Sequence, residues 1–498
     1  TNNTLANWNT GSGSVYGYYT VSGNNNQVLN NTMNNVTTTG LVYGIYASGN
    51  VFTATNNKVS NISSGSTCYG LYAYGTTSTL ANDTIFGITQ TASGATYGIY
   101  MSSSATNGNI SNCEVRNLVS AGTTLAGMYL GQGGGTVNRN KVYNLTSTSV
   151  LAPTVSGLLI GTNGMDVINN IIGDIKSPAA NSASGLAPSV RGINITSATA
   201  LKNINLYHNT IYLNASSTGA NFSTAGVFAT INATATTARL KMVGNIIVNV
   251  SNPNGTGVVA AITRSAAGLA NFDVTSNNNL YFAGAPSANK LIYNDGTNPI
   301  QTLGGYQTFT LSEASSLSFL PNFLSTVAAN ANFVHIDGTI PTQLESGSIN
   351  LNISNDFDGD IRALAAGYAG TGTAPDIGAD EFIGITPAPA ILLASAIPAT
   401  TNQCTTVARV ITATITTVSG TITGANLNYS FNGVAQPTIA MVNTGGNSWT
   451  ATIPASVPVN ATVSWSITAT NTVPLSTTYT GSTYSDEPLL GVSAFAYN

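Results

Sequence analysis

A short block returns through the first half of the chain and limits what the chain can fold into. It reads Tyr16-Gly17-Tyr18-Tyr19, Tyr43-Gly44-Ile45-Tyr46-Ala47, Tyr69-Gly70-Leu71-Tyr72-Ala73, Tyr97-Gly98-Ile99-Tyr100-Met101 and Ala126-Gly127-Met128-Tyr129-Leu130. The glycine marks the register and continues as Gly157, Gly192 and Gly226, at intervals of 26 to 30 residues that widen to 35 and 34. Self-similarity at this period is the signature of a solenoid, whose coils bury their apolar faces only by stacking on one another.

A second column fixes the geometry. Asn31, Asn57, Asn140, Asn170, Asn209, Asn245 and Asn279 each precede a short run of alternating apolar residues, and Asp83 and Cys113 occupy the same place in the intervening coils. Coils returning to one corner stack like residues about 4.8 Å apart, the spacing of a parallel sheet, so the asparagines can bond along the axis. The pattern predicts a right-handed parallel β-helix. Period-two alternation turns Ile45, Leu71, Ile99, Met128, Leu158, Ile193 and Val227 inward, together with Ala47, Ala73, Met101, Leu130, Ile160, Ile195 and Ala229. The residues between them face out: Tyr19, Tyr46, Tyr72, Tyr100 and Tyr129, then Leu159, Asn194 and Phe228. Turn-rich connections lengthen toward the later coils, which is expected on one edge only.

Charge excludes several functions. Charged residues make up 6% of the chain and the net charge is −4, with no basic stripe to follow a nucleic-acid backbone. No apolar run reaches the length of a membrane-spanning helix. Cys68, Cys113 and Cys404 stand in separate contexts and make neither a disulfide framework nor a metal-ligand cluster. The chain divides into parallel β-helix repeats over 1–290, last coils and a cap over 291–385, a linker over 386–390, an antiparallel β-sandwich over 391–490, and the start of a further segment over 491–498. The fold class is all-β.

Chemistry has few places to sit. Before residue 270 the carboxylates are Asp83, Glu114, Asp166 and Asp174, a thin supply for the paired acids of a glycosidase or the base and cation of a lyase. Asp83 falls in the inner corner. Glu114 faces out beside Lys141 and Arg116, where a surface ion-pair cluster accounts for it without catalysis. His208 and His335 have no nearby nucleophile in sequence and are read as structural. The tyrosine strip Tyr46, Tyr72, Tyr100 and Tyr129 is a candidate carbohydrate surface, with mutual stacking as the favoured structural reading. Asn355-Asp356-Phe357-Asp358-Gly359-Asp360 spaces Asp356, Asp358 and Asp360 as a calcium loop would, without a closing Glu, so Ca2+ is the one candidate cofactor.

Two motifs carry a resemblance. Asp356-Phe357-Asp358-Gly359-Asp360-Ile361-Arg362 followed by Pro375-Asp376-Ile377-Gly378-Ala379-Asp380-Glu381-Phe382 resembles the closing motif of right-handed parallel β-helix surface proteins, many of them from Bacteroidetes-type bacteria. The resemblance implies that Arg362, Asp376 and Glu381 are cap residues. Trp449-Thr450-Ala451-Thr452-Ile453-Pro454 and Trp465-Ser466-Ile467-Thr468-Ala469-Thr470-Asn471 are similar to immunoglobulin-like modules of secreted proteins. Such proteins are often exported by the type IX pathway and include adhesins. The expectation is a non-enzymatic structural or adhesive protein, extracellular or at the cell surface, as part of a larger adhesin or filament. Its expected partners are a polysaccharide, another surface protein or further copies of itself. The alternatives are a polysaccharide lyase or glycoside hydrolase on the same helix, and a carbohydrate-binding module that uses the tyrosines.

Overall fold

The computed structural model describes residues 1–21, 23–102, 107–131, 133–161, 164–182, 184–196, 203–231, 239–394, 400–402, 406–417, 421–456, 461–472 and 475–487. Cys404 and the segment 491–498 lie outside the described residues. The chain forms two compact units, one ending at Gly384 and one that runs on from Ile385.

The first unit is a parallel β-solenoid with three faces. One face is a ten-stranded sheet that begins Thr4–Asn9, Thr32–Thr38, Lys58–Ser64 and ends Ile246–Asn249, Leu280–Phe282. A second face runs from Val15–Thr20 through Thr96–Met101 and Thr124–Leu130 to Lys290–Asn294. The third runs from Asn26–Leu29 through Asn107–Ser111 to Leu240–Val243, and the long strands Val42–Thr55 and Cys68–Ala81 contribute to both the second and the third. Every pairing within these faces is parallel, as the 26-residue return requires.

The corner between the third and first faces keeps its length throughout. Leu29 and Thr32 are separated by two residues, and so are Tyr207 and Thr210. A turn this tight places its first residue in the left-handed region: Asn30, Asn56, Asn82, Asn112, Arg139, Asn169, His208 and Asn278 all have φ between 51° and 58°. The second corner residue is the ladder asparagine. The other two corners absorb the growth in period. The connection between Ile171–Lys176 and Val190–Ile195 covers residues 177–189, and that between Val190–Ile195 and Ile204–Tyr207 covers 196–203. Growth on two edges corrects the expectation of one; only the asparagine corner has a geometry that cannot lengthen.

The register glycines lie where the second face approaches the first. A Cβ on Gly98 would sit 2.3 Å from Val115 Cγ1 and one on Gly127 2.3 Å from Val142 Cγ1, with the backbone oxygen of the next glycine within 2.6 and 2.8 Å. Strand pairing steps over this position, from Tyr69↔Tyr97 to Leu71↔Ile99. The glycine and the residue after it therefore both face the interior, and the tyrosines on either side, three residues apart, both face out. The inward columns Ile45, Leu71, Ile99, Met128, Leu158, Ile193 and Val227 are fully buried, as are Ala73, Met101 and Leu130. Near 25 cal/mol per Å2 of apolar surface, this continuous core is the main term holding the coils together.

The helix Leu303–Thr310 closes the far end. Thr302 caps its start by accepting from the Gly305 amide at 3.2 Å, and Tyr306 is buried against Tyr281 and Tyr293 with ring centroids 5.6 and 5.3 Å away. Residues 313–317 complete this end, with Glu313 accepting from Tyr281 Oη at 2.9 Å and Leu317 pairing in parallel with Leu280. Residues 318–384 leave it and form a strap along the outer side of the first face, covering Tyr143, Ile171, Ile246, Val248 and Leu280 with Phe333, Ile336, Leu344, Ile377 and Ala379.

The second unit holds two small sheets. One orders Ala390–Leu393, Arg409–Thr416, Ser448–Ile453 and Val442–Gly445; the other is built on Ile422–Phe431 and Thr462–Asn471. Pairing is antiparallel except where Thr400–Asn402 meets Tyr484–Glu487. Ile411, Ala413 and Ile415 of the first sheet share one apolar cluster with Leu427, Trp465 and Ile467 of the second.

Candidate functional site

The interior corner carries a directed hydrogen-bond ladder. Asn140 Nδ2 donates to Asn170 Oδ1, Asn170 to Asn209, Asn209 to Asn245 and Asn245 to Asn279, each at 2.9 Å. Each Oδ1 also accepts the backbone N–H of the preceding ladder residue, as in Asn209 N to Asn245 Oδ1 at 3.0 Å. At one end Asn3 donates to Asn31; at the other Asn279 donates to the buried Glu313 carboxylate at 3.0 Å. Asp83 interrupts the run. It accepts from Asn57 Nδ2 at 2.9 Å, but its Oδ2 has no hydrogen-bond partner and its neighbour along the axis is Cys113. Burial pushes its carboxyl up to about 7. Cys68 and Cys113 are buried and free, with thiols pushed up by that burial.

The outward tyrosines form two ladders. Tyr19, Tyr46, Tyr72, Tyr100 and Tyr129 stack in register, with Tyr46–Tyr72 at 5.1 Å and 7° and Tyr72–Tyr100 at 5.0 Å and 6°. Beside them Tyr16, Tyr43, Tyr69 and Tyr97 stack in the same way, with Tyr43–Tyr69 at 4.8 Å and 4°. The two columns meet edge to face, as in Tyr69–Tyr72 at 81°, so the strip is a herringbone in which ring faces are spent on one another. Solvent meets ring edges and hydroxyls. Burial, followed by neighbouring phenols, raises the pKa of Tyr43, Tyr46, Tyr69 and Tyr100, so the strip stays uncharged. Sequence reasoning missed the second column because strict alternation points Tyr43 and Tyr46 to opposite faces; the step over Gly44 is what aligns them. Beyond Tyr129 the strip gives way to a polar group in which Arg191 donates to Asn194 Oδ1 at 3.0 Å and lies over the Phe228 ring.

The strap is held by residues of the left-handed corner. Arg139 Nε donates to Phe357 O at 2.9 Å, Asn169 Nδ2 to Asn355 O at 2.7 Å, and Asn278 Nδ2 to Gly347 O at 2.9 Å. His208 Nδ1 lies 3.0 Å from Asp376 O; the ring is buried, and desolvation and then Arg362 hold its pKa well below the usual imidazole value. Arg362 is fully buried. It donates to Glu381 Oε2 at 3.0 Å, Asn169 Oδ1 at 2.8 Å and Gly378 O at 2.9 Å. Asp376 accepts the Ser346 and Phe382 amides. Arg362, Asp376 and Glu381 thus come together, and the object they organise is the strap along the flank.

Asp356, Asp358 and Asp360 occupy three different settings. Asp356 is buried and accepts the amides of Gly359, Asp360 and Glu381 at 2.8, 2.7 and 2.8 Å. Asp360 is exposed. Asp358 instead meets His335, its Oδ2 being 2.7 Å from Nε2, and these two converge with Asp380 so that one ligand atom from each lies within 4.8 Å of the others. Burial pushes the Asp380 carboxyl up to about 6. No spacing in the sequence joins these three.

The four early carboxylates sit apart. Asp83 is interior; Glu114 pairs with Arg116 at 3.3 Å and accepts from Tyr143 Oη at 2.8 Å. Asp166 lies on the third face and accepts from Asn205 at 2.7 Å, and Asp174 on the first face pairs with Lys176. What fold and surface together define is a parallel β-solenoid with internal asparagine and external tyrosine ladders. Comparison of the chain with protein-family models, with curated proteins and with solved structures returned no match.

Proposed function

We propose that the chain is a non-enzymatic structural and adhesive element of a cell surface or extracellular assembly, in which the solenoid is a stiff spacer and the tyrosine strip its contact surface. The observation that carries this reading is where the side chains point their bonding capacity. Asparagines and tyrosines bond along the axis, coil to coil, and the early carboxylates are spread over the interior corner (Asp83), the first face (Glu114 and Asp174, two coils apart) and the third face (Asp166) instead of converging on a groove. The paired sheets around Trp465 suit the immunoglobulin-like module that the sequence resembles, and such modules accompany adhesive stalks. Because ring faces are stacked, a polysaccharide would be read through hydroxyls and edges, not through the face contacts usual for sugars.

The test is a polysaccharide and glycan panel with the intact chain beside a Tyr46→Phe, Tyr72→Phe, Tyr100→Phe variant, with released sugars measured in the same samples. Phenylalanine keeps the stacking and removes the hydroxyls. The expected result is binding by the wild type, at least about tenfold weaker in the variant, with no product. That factor corresponds to about 1.4 kcal/mol. Released sugars would make the chain a carbohydrate-active enzyme, and absence of binding across the panel would remove the adhesive half of the proposal.

A further inference from the structure

We propose that His335, Asp358 and Asp380 form a binding site for a divalent transition metal of the zinc class, which staples three separate passes of the strap. Three geometric facts support it. The ligand atoms converge within 4.8 Å from positions 23 and 22 residues apart in sequence, so the grouping is made by the fold and not by a local turn. His335 Nδ1 lies 3.2 Å from Phe333 O, the arrangement in which a ring N–H donates to a backbone carbonyl and leaves the other nitrogen with its lone pair free. That free nitrogen, Nε2, is aimed at the Asp358 carboxylate 2.7 Å away. A lone pair facing a carboxylate is repulsive until something positive joins them: at 2.7 Å a proton does so on the line between the two atoms, whereas a metal ion does so from beside that line, where Asp380 also reaches.

Asp380 favours the metal. The residue is 8% exposed, with one carboxylate oxygen 3.2 Å from the Ile336 amide, and its second oxygen accepts no hydrogen bond among the described residues. A proton on His335 satisfies one carboxylate oxygen, whereas a cation serves His335, Asp358 and Asp380 together. Asp356 adds negative potential at Asp380, and Lys141 on the first face adds positive potential at Asp358. One imidazole and two carboxylates suit zinc better than calcium, which takes six to eight oxygens. Asp358 is 45% exposed and gives the ion its route from solvent. The site shares only Asp358 with the Asp356, Asp358, Asp360 calcium expectation.

The experiment uses the full chain, stripped with chelator and titrated calorimetrically with Zn2+ and, separately, Ca2+ near pH 7.5. One equivalent of Zn2+ is expected, with Ca2+ at least about tenfold weaker. Asp358→Asn, at an exposed position, is expected to lose at least about tenfold in Zn2+ affinity, a loss that changes in groups merely hydrogen-bonded to a metal ligand already reach. His335→Ala is expected to abolish binding, and Asp360→Asn to leave it unchanged. The chain has two histidines, so ring resonances give a second readout: His335 shifts with Zn2+ and His208 does not. The proposal is overturned if Zn2+ binds with no stoichiometry, if the His335 and Asp358 variants bind as wild type does, or if His335 titrates as an imidazolium that ignores Zn2+. Calcium binding that survives His335→Ala and is lost in Asp360→Asn would overturn it in favour of an all-oxygen site.

Discussion

Between Thr4 and Asn294 nearly every contact is made again one coil later, whereas between residues 318 and 384 almost none is. The coils repeat a neutral bond, Asn to Asn at 2.9 Å, and a neutral ring stack near 5 Å. The strap concentrates charge: eight of the chain's seventeen carboxylates lie in 318–384, with Arg362 as the one Lys or Arg residue there. Repetition spreads stability over many small equal terms, so removing one leaves its neighbours intact. A unique buried network puts much of its stability on single residues, because each charge taken from water depends on its partner. The two regions should therefore respond differently to equally small changes.

The largest effect is expected at Arg362. Replacing it with Met leaves Glu381 buried without its cation, a loss on the order of 3–5 kcal/mol, and removes the bonds to Asn169, Gly378 and Ala379. Hydrogen exchange should show the amides of Ala363 and Phe382, which donate to Glu381 and Asp376, losing protection while ladder amides such as Asn209 keep theirs. Loss of protection in both regions at once would mean that coils and strap unfold as one unit.

Asp83 is the place where the coils borrow the strap's chemistry, and pH exposes it. Its folded pKa of about 7 lies above the ordinary value of 3.8. Below about pH 4 the carboxyl is protonated in both states and costs nothing. As pH rises the unfolded chain gives up the proton first, so stability falls between about pH 4 and 7 and then levels off, by on the order of 4 kcal/mol. Asp83→Asn restores an amide to the ladder and should remove this slope. Melting curves of both proteins should coincide near pH 4 and diverge up to pH 7; parallel curves would show that Asp83 is not the group responsible.

The contrast also explains what could be read in the sequence. A contact repeated every coil leaves a column, so Gly44, Asn57 and Tyr72 announced the solenoid, its interior and its outer strip. The left-handed corner does form a column, Asn30, Asn56, Asn82, Asn112, Asn169 and Asn278, but Arg139 and His208 break it, and nothing in that column tells which of its members hold the strap. The motif around Arg362 and Glu381 was legible as a unit, but its position was not. It looked like an end cap, since nothing in Asp356 or Asp376 tells that their backbone lies along Tyr143 and Ile246. The cluster of His335, Asp358 and Asp380 was hidden for the same reason, because its members meet only after the strap has been laid down.

The smallest effect separates two ladders that look alike in sequence. On the first face Asn7, Asn35 and Asn61 also stack, Asn35 Nδ2 donating to Asn7 Oδ1 at 3.0 Å and Asn61 to Asn35 at 3.2 Å, but these bonds are exposed to solvent. Asn35 has φ 57°, a conformation glycine adopts without strain, so Asn35→Gly removes the side-chain bonds and little else. Water can replace them, and the expected change in stability is within about 0.5 kcal/mol. The interior counterpart, Asn140→Ala, strands the Cys113 amide and the Ile110 carbonyl away from water and should cost about 1–3 kcal/mol. Chemical denaturation of the two variants side by side measures the difference. Equal losses would mean that the outer asparagines bear as much of the stack as the inner ones, and that burial is not what gives the ladder its strength.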